Sequence, residues 1–170
     1  MIKQLAALAL TGFVILGASA SSAVAKEFPR QPFNPDGVDF LLRTVEATGH
    51  KIYNGGGPCD DPRYYGAASG KLKALVICED NHKGDVVELG DTIRHEAFHL
   101  AQYCKAKKFG ATHALLFPDA SMGFIKLAVG LGMPVGEYSA TDLPYEAEAR
   151  AVAHLFDEYQ VAKMVKEQCS

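Results

Sequence analysis

Five consecutive residues, His95-Glu96-Ala97-Phe98-His99, constrain this chain more than any other stretch. An α-helix turns about 100° per residue, so residues four apart share a face, and the two imidazoles stand one turn apart with a carboxylate beside them. Two such imidazoles can bind one metal ion from the same side, and Glu96 can lean over the ion's open position to take a proton from water. The flanks favour a helix. Asp91 is available as a cap, Ile93, Ala97, Leu100, Ala101 and Cys104 form an apolar stripe, and neither Gly nor Pro interrupts Thr92 to Phe109. The two inner positions, Ala97 and Phe98, are apolar, as a helix packed on a core requires.

This segment resembles the zincin metallopeptidases, whose defining motif is His-Glu-x-x-His. A catalytic zinc takes three protein ligands and keeps one position for water, so a third ligand is needed. Glu146-Ala147-Glu148-Ala149 resembles the second helix motif of gluzincin-type zincins, Glu-x-x-Ala-Asp, whose first glutamate binds zinc. The resemblance implies one Zn2+ ion held by His95, His99 and Glu146, with Glu96 as general base. Arg150 stands where the family often has Asp, a departure that removes a carboxylate expected to orient a histidine. Helical periodicity gives a competing third ligand. Tyr145, Ala149, Val152, Leu155, Phe156 and Tyr159 mark an apolar face, and Glu148 lies nearer to it than Glu146 does. Candidates to stabilise an oxyanion are Tyr138, Tyr145 and His113, and Gln102 follows His99 by three residues on the same helix face.

The first 25 residues read as a secretory signal peptide, with Lys3, an apolar run from Leu5 to Ala20 and a small-x-small site at Ala23-Val24-Ala25. A second cut after Ala20 is open. Residues 26–170 then form one domain, placed by this reading in a secreted or periplasmic compartment without a stable membrane anchor. The formal charge of −3 is spread along the chain apart from Lys105, Lys107 and Lys108 at the end of the motif helix, where cations complement the helix dipole. Nucleic-acid binding has no support in that pattern. The 4 cysteines, Cys59, Cys78, Cys104 and Cys169, suit two disulfides in an oxidising compartment. Three connectivities are open; pairing Cys104 with Cys169 would pin the C-terminal helix to the motif helix and leave Cys59 for Cys78.

Along the mature chain, residues 26–37 read as an extended Pro-containing arm, and Val38 to Thr48 as a helix closed by Gly49. Gly55 to Gly57 is a turn without the Gly-Lys-Ser/Thr of a phosphate loop. Leu72 to Cys78 is the strongest strand, and either an edge or a central position is open to it. In zincins an edge strand before the motif helix binds extended peptide. Ala114 to Phe117 suggests a short strand or turn, Met122 to Leu131 a small helix, and Leu143 to Gln168 one long helix with Pro144 in its first turn. The expected fold is α+β, a small zincin-like domain with a short sheet, the motif helix and a long C-terminal helix. The expected function is zinc-dependent hydrolysis of peptide bonds in a peptide or protein substrate. The alternatives are a zincin-like binding module without catalysis and a zinc amidase acting on cell-wall or small amide substrates.

Overall fold

The computed structural model describes residues 30–170, so the signal-peptide reading lies outside the described residues. Among the described residues the architecture is α+β, with five α-helices and one three-stranded sheet. Helix α1 (Pro35–Ala47) starts three residues earlier than the apolar pattern suggests, because the Asn34 side chain accepts from the Gly37 N–H and Pro35 presets the first turn. It ends at Thr48, and Gly49 takes the left-handed conformation at φ 84°. Val38, Leu41 and Val45 form its buried stripe.

Strands β1 (Lys51–Asn54), β2 (Gly66–Ser69) and β3 (Ala74–Ile77) are ordered β1-β3-β2 across the sheet, with β1 parallel and β2 antiparallel to β3. The strand legible in the sequence is therefore the central one; Ala74, Leu75 and Ile77 are buried along it. The edge nearest the motif helix is β2, a Gly-Ala-Ala-Ser segment with no strand propensity to announce it. A disulfide joins Cys59 to Cys78, fastening the turn after β1 to the end of β3. Asn81 Nδ2 reaches the carbonyls of Cys59, Asp61 and Tyr64 and holds the same loop.

Helix α2 (Val86–Lys108) carries the five-residue motif and is 23 residues long. It starts before the expected Asp91, at Asp85, whose carboxylate accepts from the Glu88 N–H at 2.9 Å. Gly90 is consequently inside the helix, where the Phe33 ring fills the space a side chain would take: a Cβ there would lie 3.1 Å from Phe33 Cδ2. Asp91 instead bonds Arg94, which is fully buried and also reaches Glu158 and the Ala153 carbonyl. Ile93, Ala97, Phe98, Leu100 and Ala101 of α2 meet Leu41 and Val45 of α1, Leu75 and Ile77 of β3, and the last two helices, forming the main core.

Ala114 to Phe117 is irregular chain leading into a single 3-10 turn, Pro118–Ala120, and α3 (Ser121–Gly130) follows. The long C-terminal helical stretch divides into α4 (Leu143–Leu155) and α5 (Glu158–Cys169). Phe156 is extended at ψ 143°, and Asp157 and Gln160 form a reciprocal capping box that starts the second helix. The break turns α5 back against α1 and α2, where Val161, Ala162 and Val165 are buried. Cys104 is bonded to Cys169, tying the end of α5 to α2 as the sequence allowed. Two disulfides are consistent with a secreted protein, and among the described residues no helix is long and apolar enough to cross a membrane.

Candidate metal centre

Helical spacing on α2 brings His95 and His99 together, with their Nε2 atoms 3.0 Å apart and their rings edge to face. Glu146, in the first turn of α4, places one oxygen 3.4 Å from His99 Nε2 and the other 3.5 Å from His95 Nε2. Three ligands bonded to one tetrahedral zinc at about 2.0–2.2 Å stand roughly 3.3–3.6 Å from one another. The triangle is close to that size, and among the described residues it is the group of His, Cys, Asp and Glu side chains that can hold a metal ion.

The protonation pattern fits as well. Gln102 Nε2 donates to the Tyr145 carbonyl at 3.1 Å and to the Glu148 carboxylate at 2.7 Å. Both partners are acceptors, so the amide orientation is fixed and Oε1 must face His99 Nδ1, 2.7 Å away. His99 therefore carries a proton on Nδ1 and presents the Nε2 lone pair toward Glu146 and His95 when neutral. His95 has no such brace: its Nδ1 is buried without a hydrogen-bond partner. Arg150 is exposed at the cleft surface.

Without a metal the three groups hold one another by charge. Burial opposes a charged His99, but its hydrogen bond to Glu146, the negative charges of Glu96 and Glu146, and Gln102 raise its pKa to about 9. Burial likewise opposes charge on Glu146, and the hydrogen bonds from His95 and His99 keep its carboxyl well below the usual range. A metal ion would take the place of that shared proton.

Glu148 is fully buried and serves elsewhere. Besides Gln102 it accepts the N–H groups of Leu116 at 3.0 Å and Phe117 at 2.5 Å, so it anchors the loop after α2 and sets Gln102. Periodicity thus located Glu148 correctly against the core, while Glu146 is the carboxylate brought to the imidazoles. Glu96 is partly buried under the edge strand; a Cβ on Gly66 would lie 2.9 Å from Glu96 Cγ and 2.9 Å from Thr92 Cγ2. Gly66 was not recognisable as part of a site, since a lone glycine in a polar stretch reads as a turn.

A cleft of about 940 Å³ opens over the triangle, with β2 on one side and α4 on the other. The candidates Tyr138, Tyr145 and His113 all line it. The rings of His113 and Tyr145 are 4.8 Å apart. Burial, followed by the Glu146 charge, raises the Tyr138 phenol above its usual pKa, which keeps it a hydrogen-bond donor. Tyr103, one turn after His99, lines the cleft, and its ring takes the space of a side chain at Gly70, where a Cβ would lie 1.9 Å from Tyr103 Cγ. No family model matches this chain, and neither the curated proteins nor the solved structures contain a significant match to it.

Proposed function

We propose that this protein is an exported zinc metallopeptidase of the gluzincin type, with His95, His99 and Glu146 as the ligands and Glu96 as the general base. The single observation that carries this reading is the triangle of two Nε2 atoms and a carboxylate with sides of 3.0, 3.4 and 3.5 Å, on a helix that also presents Glu96 to the same cleft. Zinc, when bound, supplies Lewis acidity to the scissile carbonyl and acidity to a coordinated water. Glu96 would take a proton from the attacking water and return it to the leaving amine. Tyr138, held protonated, donates to the developing oxyanion, and the free edge of β2 offers backbone groups to an extended peptide.

The experiment is metal analysis of the mature protein and of three variants. About one equivalent of zinc is expected in the wild type and in Glu96→Gln, and none in His95→Ala or His99→Ala. Peptide hydrolysis is expected to fall by about 10²–10⁴-fold in Glu96→Gln, the range for loss of a general base. Full zinc occupancy in either alanine variant would remove the ligand assignment, and undiminished turnover in Glu96→Gln would remove the base.

A further inference from the structure

The two walls of the cleft have a direction. Gly66 lies over Thr92 and Glu96, and Gly70 lies against Tyr103, so β2 runs along α2 in the same sense. Helix α4 runs the other way: Glu146 is beside His95 and His99, while the Ala153 carbonyl accepts from Arg94 Nε at 2.8 Å. Arg150 lies between those levels, on the side of the metal centre toward the start of α2. An extended peptide added antiparallel to β2 has its C-terminal portion on this side.

Arginines line this end of the cleft, and they differ in what occupies them. Arg63 is paired with Asp61 at 2.6 Å, and Arg30 faces Asp91 at 3.8 Å. Arg150 is exposed on the cleft wall and forms neither a hydrogen bond nor an ion pair within the described residues. It follows Glu146 by one helical turn, a rise of about 6 Å, which corresponds to roughly two residues of extended peptide. A guanidinium matches a carboxylate in a planar two-bond contact, and a neutral peptide backbone requires no such group.

We propose that Arg150 is a specificity-determining residue that binds a carboxylate on the first or second residue after the scissile bond. The inference rests on the peptidase reading given above. That carboxylate is either the free C-terminus of the substrate or an acidic side chain, and the chemistry recognised is the same.

The test uses the full mature protein loaded with zinc and pairs of quenched fluorescent peptides cleaved at one defined bond. One pair differs only in a free against an amidated C-terminus two residues beyond that bond; the other differs only in Glu against Gln immediately after it. At least one carboxylate peptide is expected to have a KM lower by about tenfold to a hundredfold than its neutral twin, the effect of a charge-assisted contact. A response in the first pair identifies a chain terminus, and in the second an acidic side chain. Arg150→Gln is expected to erase the discrimination with zinc content retained, and Arg150→Glu to favour a peptide with Lys at the responsive position. Cleavage that ignores both carboxylates, or discrimination that survives in Arg150→Gln, overturns the inference and leaves the peptidase reading standing. Failure of the zinc-loaded protein to cleave any peptide overturns both.

Discussion

Glu146 and Glu148 lie on the same turn of α4, and their replacement by glutamine separates ligand from scaffold. The Glu148 carboxylate receives three N–H donors, from Gln102, Leu116 and Phe117. In Glu148→Gln one oxygen becomes an NH2 group, so at least one donor loses its acceptor and meets another donor. A hydrogen bond to a charged group contributes about 1.5–3 kcal/mol, and a buried group left unsatisfied costs about 1–3 kcal/mol more. Taking roughly 3–4 kcal/mol overall, the melting temperature of a domain this size falls by roughly 10 °C. Gln102 also loses the partner that fixes its amide, and with it the brace on His99, which implies a 10–100-fold weakening of metal affinity. Glu146→Gln does the opposite: it leaves the scaffold bonds intact and removes a charged ligand, so zinc binding fails while the metal-free protein loses only the charge pairing with His99, a loss that shrinks as pH rises toward 9. The assays are thermal unfolding of the metal-free proteins and chelator competition for zinc at one pH. If Glu148→Gln unfolds at the wild-type temperature, the anchoring role is wrong. Should it alone lose zinc while Glu146→Gln retains it, the ligand is two residues further along the helix.

Three further outcomes are expected. Gly66→Ala puts a methyl 2.9 Å from Glu96 Cγ and 3.1 Å from the Val76 carbonyl, so it should cost about 1–3 kcal/mol, retain zinc and reduce turnover at least tenfold; stability and turnover both at wild-type level would show that β2 has room to move. Replacing Cys104 and Cys169 by serine opens a cross-link spanning 65 residues, worth about 4 kcal/mol in the chain-entropy model, and denaturant unfolding should report a loss of that order. Because the metal-free His99 titrates at about 9, zinc binding at pH 7 should release a proton and strengthen as pH rises toward 9; calorimetry in buffers of different ionisation enthalpy reads this, and no proton release would contradict the His99–Glu146 pairing. For the metal-free protein the sign reverses. The raised His99 contributes stability fully below 6.5 and loses it as pH rises through about 9, and the lowered Glu146 contributes above 4.5, so the pair supports the fold best between those two ordinary values.

The parts legible in the sequence are those governed by local rules. The motif helix, the central strand, α1 and the pairs His95–His99 and His99–Gln102 all follow from side-chain period, and Glu148 falls on the buried face that periodicity gives it. The role of Glu148 was not legible, because a buried carboxylate reads as a ligand until the N–H groups of Leu116 and Phe117, some thirty residues away, are seen to satisfy it. Strand β2 was invisible for a related reason. Gly66 reflects how closely the strand lies on Thr92 and Glu96, and Gly70, just past its end, how closely the chain lies on Tyr103, a tertiary requirement that overrides strand propensity. The break at Phe156 was readable in principle. Asp157 and Gln160 have capping-box spacing, but the apolar periodicity continues across them and masks the signal.

The fastening of α2 explains why such a site can be preformed. Arg94, adjacent to His95 in sequence, is fully buried and bonded to Asp91 in its own helix, to Glu158 at the start of α5 and to the Ala153 carbonyl at the end of α4. Past the other end of the motif, Cys104 is bonded to Cys169 at the end of α5, and Gln102 is tied to α4. The motif thus sits between two anchor points, with Ala97, Phe98, Leu100 and Ala101 packed into the core on its opposite face. Breaking a buried ion pair on one side costs more than the pair contributes, so Arg94 constrains the helix firmly even though its net stabilisation is modest. None of these contacts uses His95, His99 or Glu146. Folding should therefore not depend on an ion at this centre, unlike in small domains whose core is the metal itself. Chelation should empty the centre and leave the helices assembled, so that zinc added back restores the site without refolding the chain.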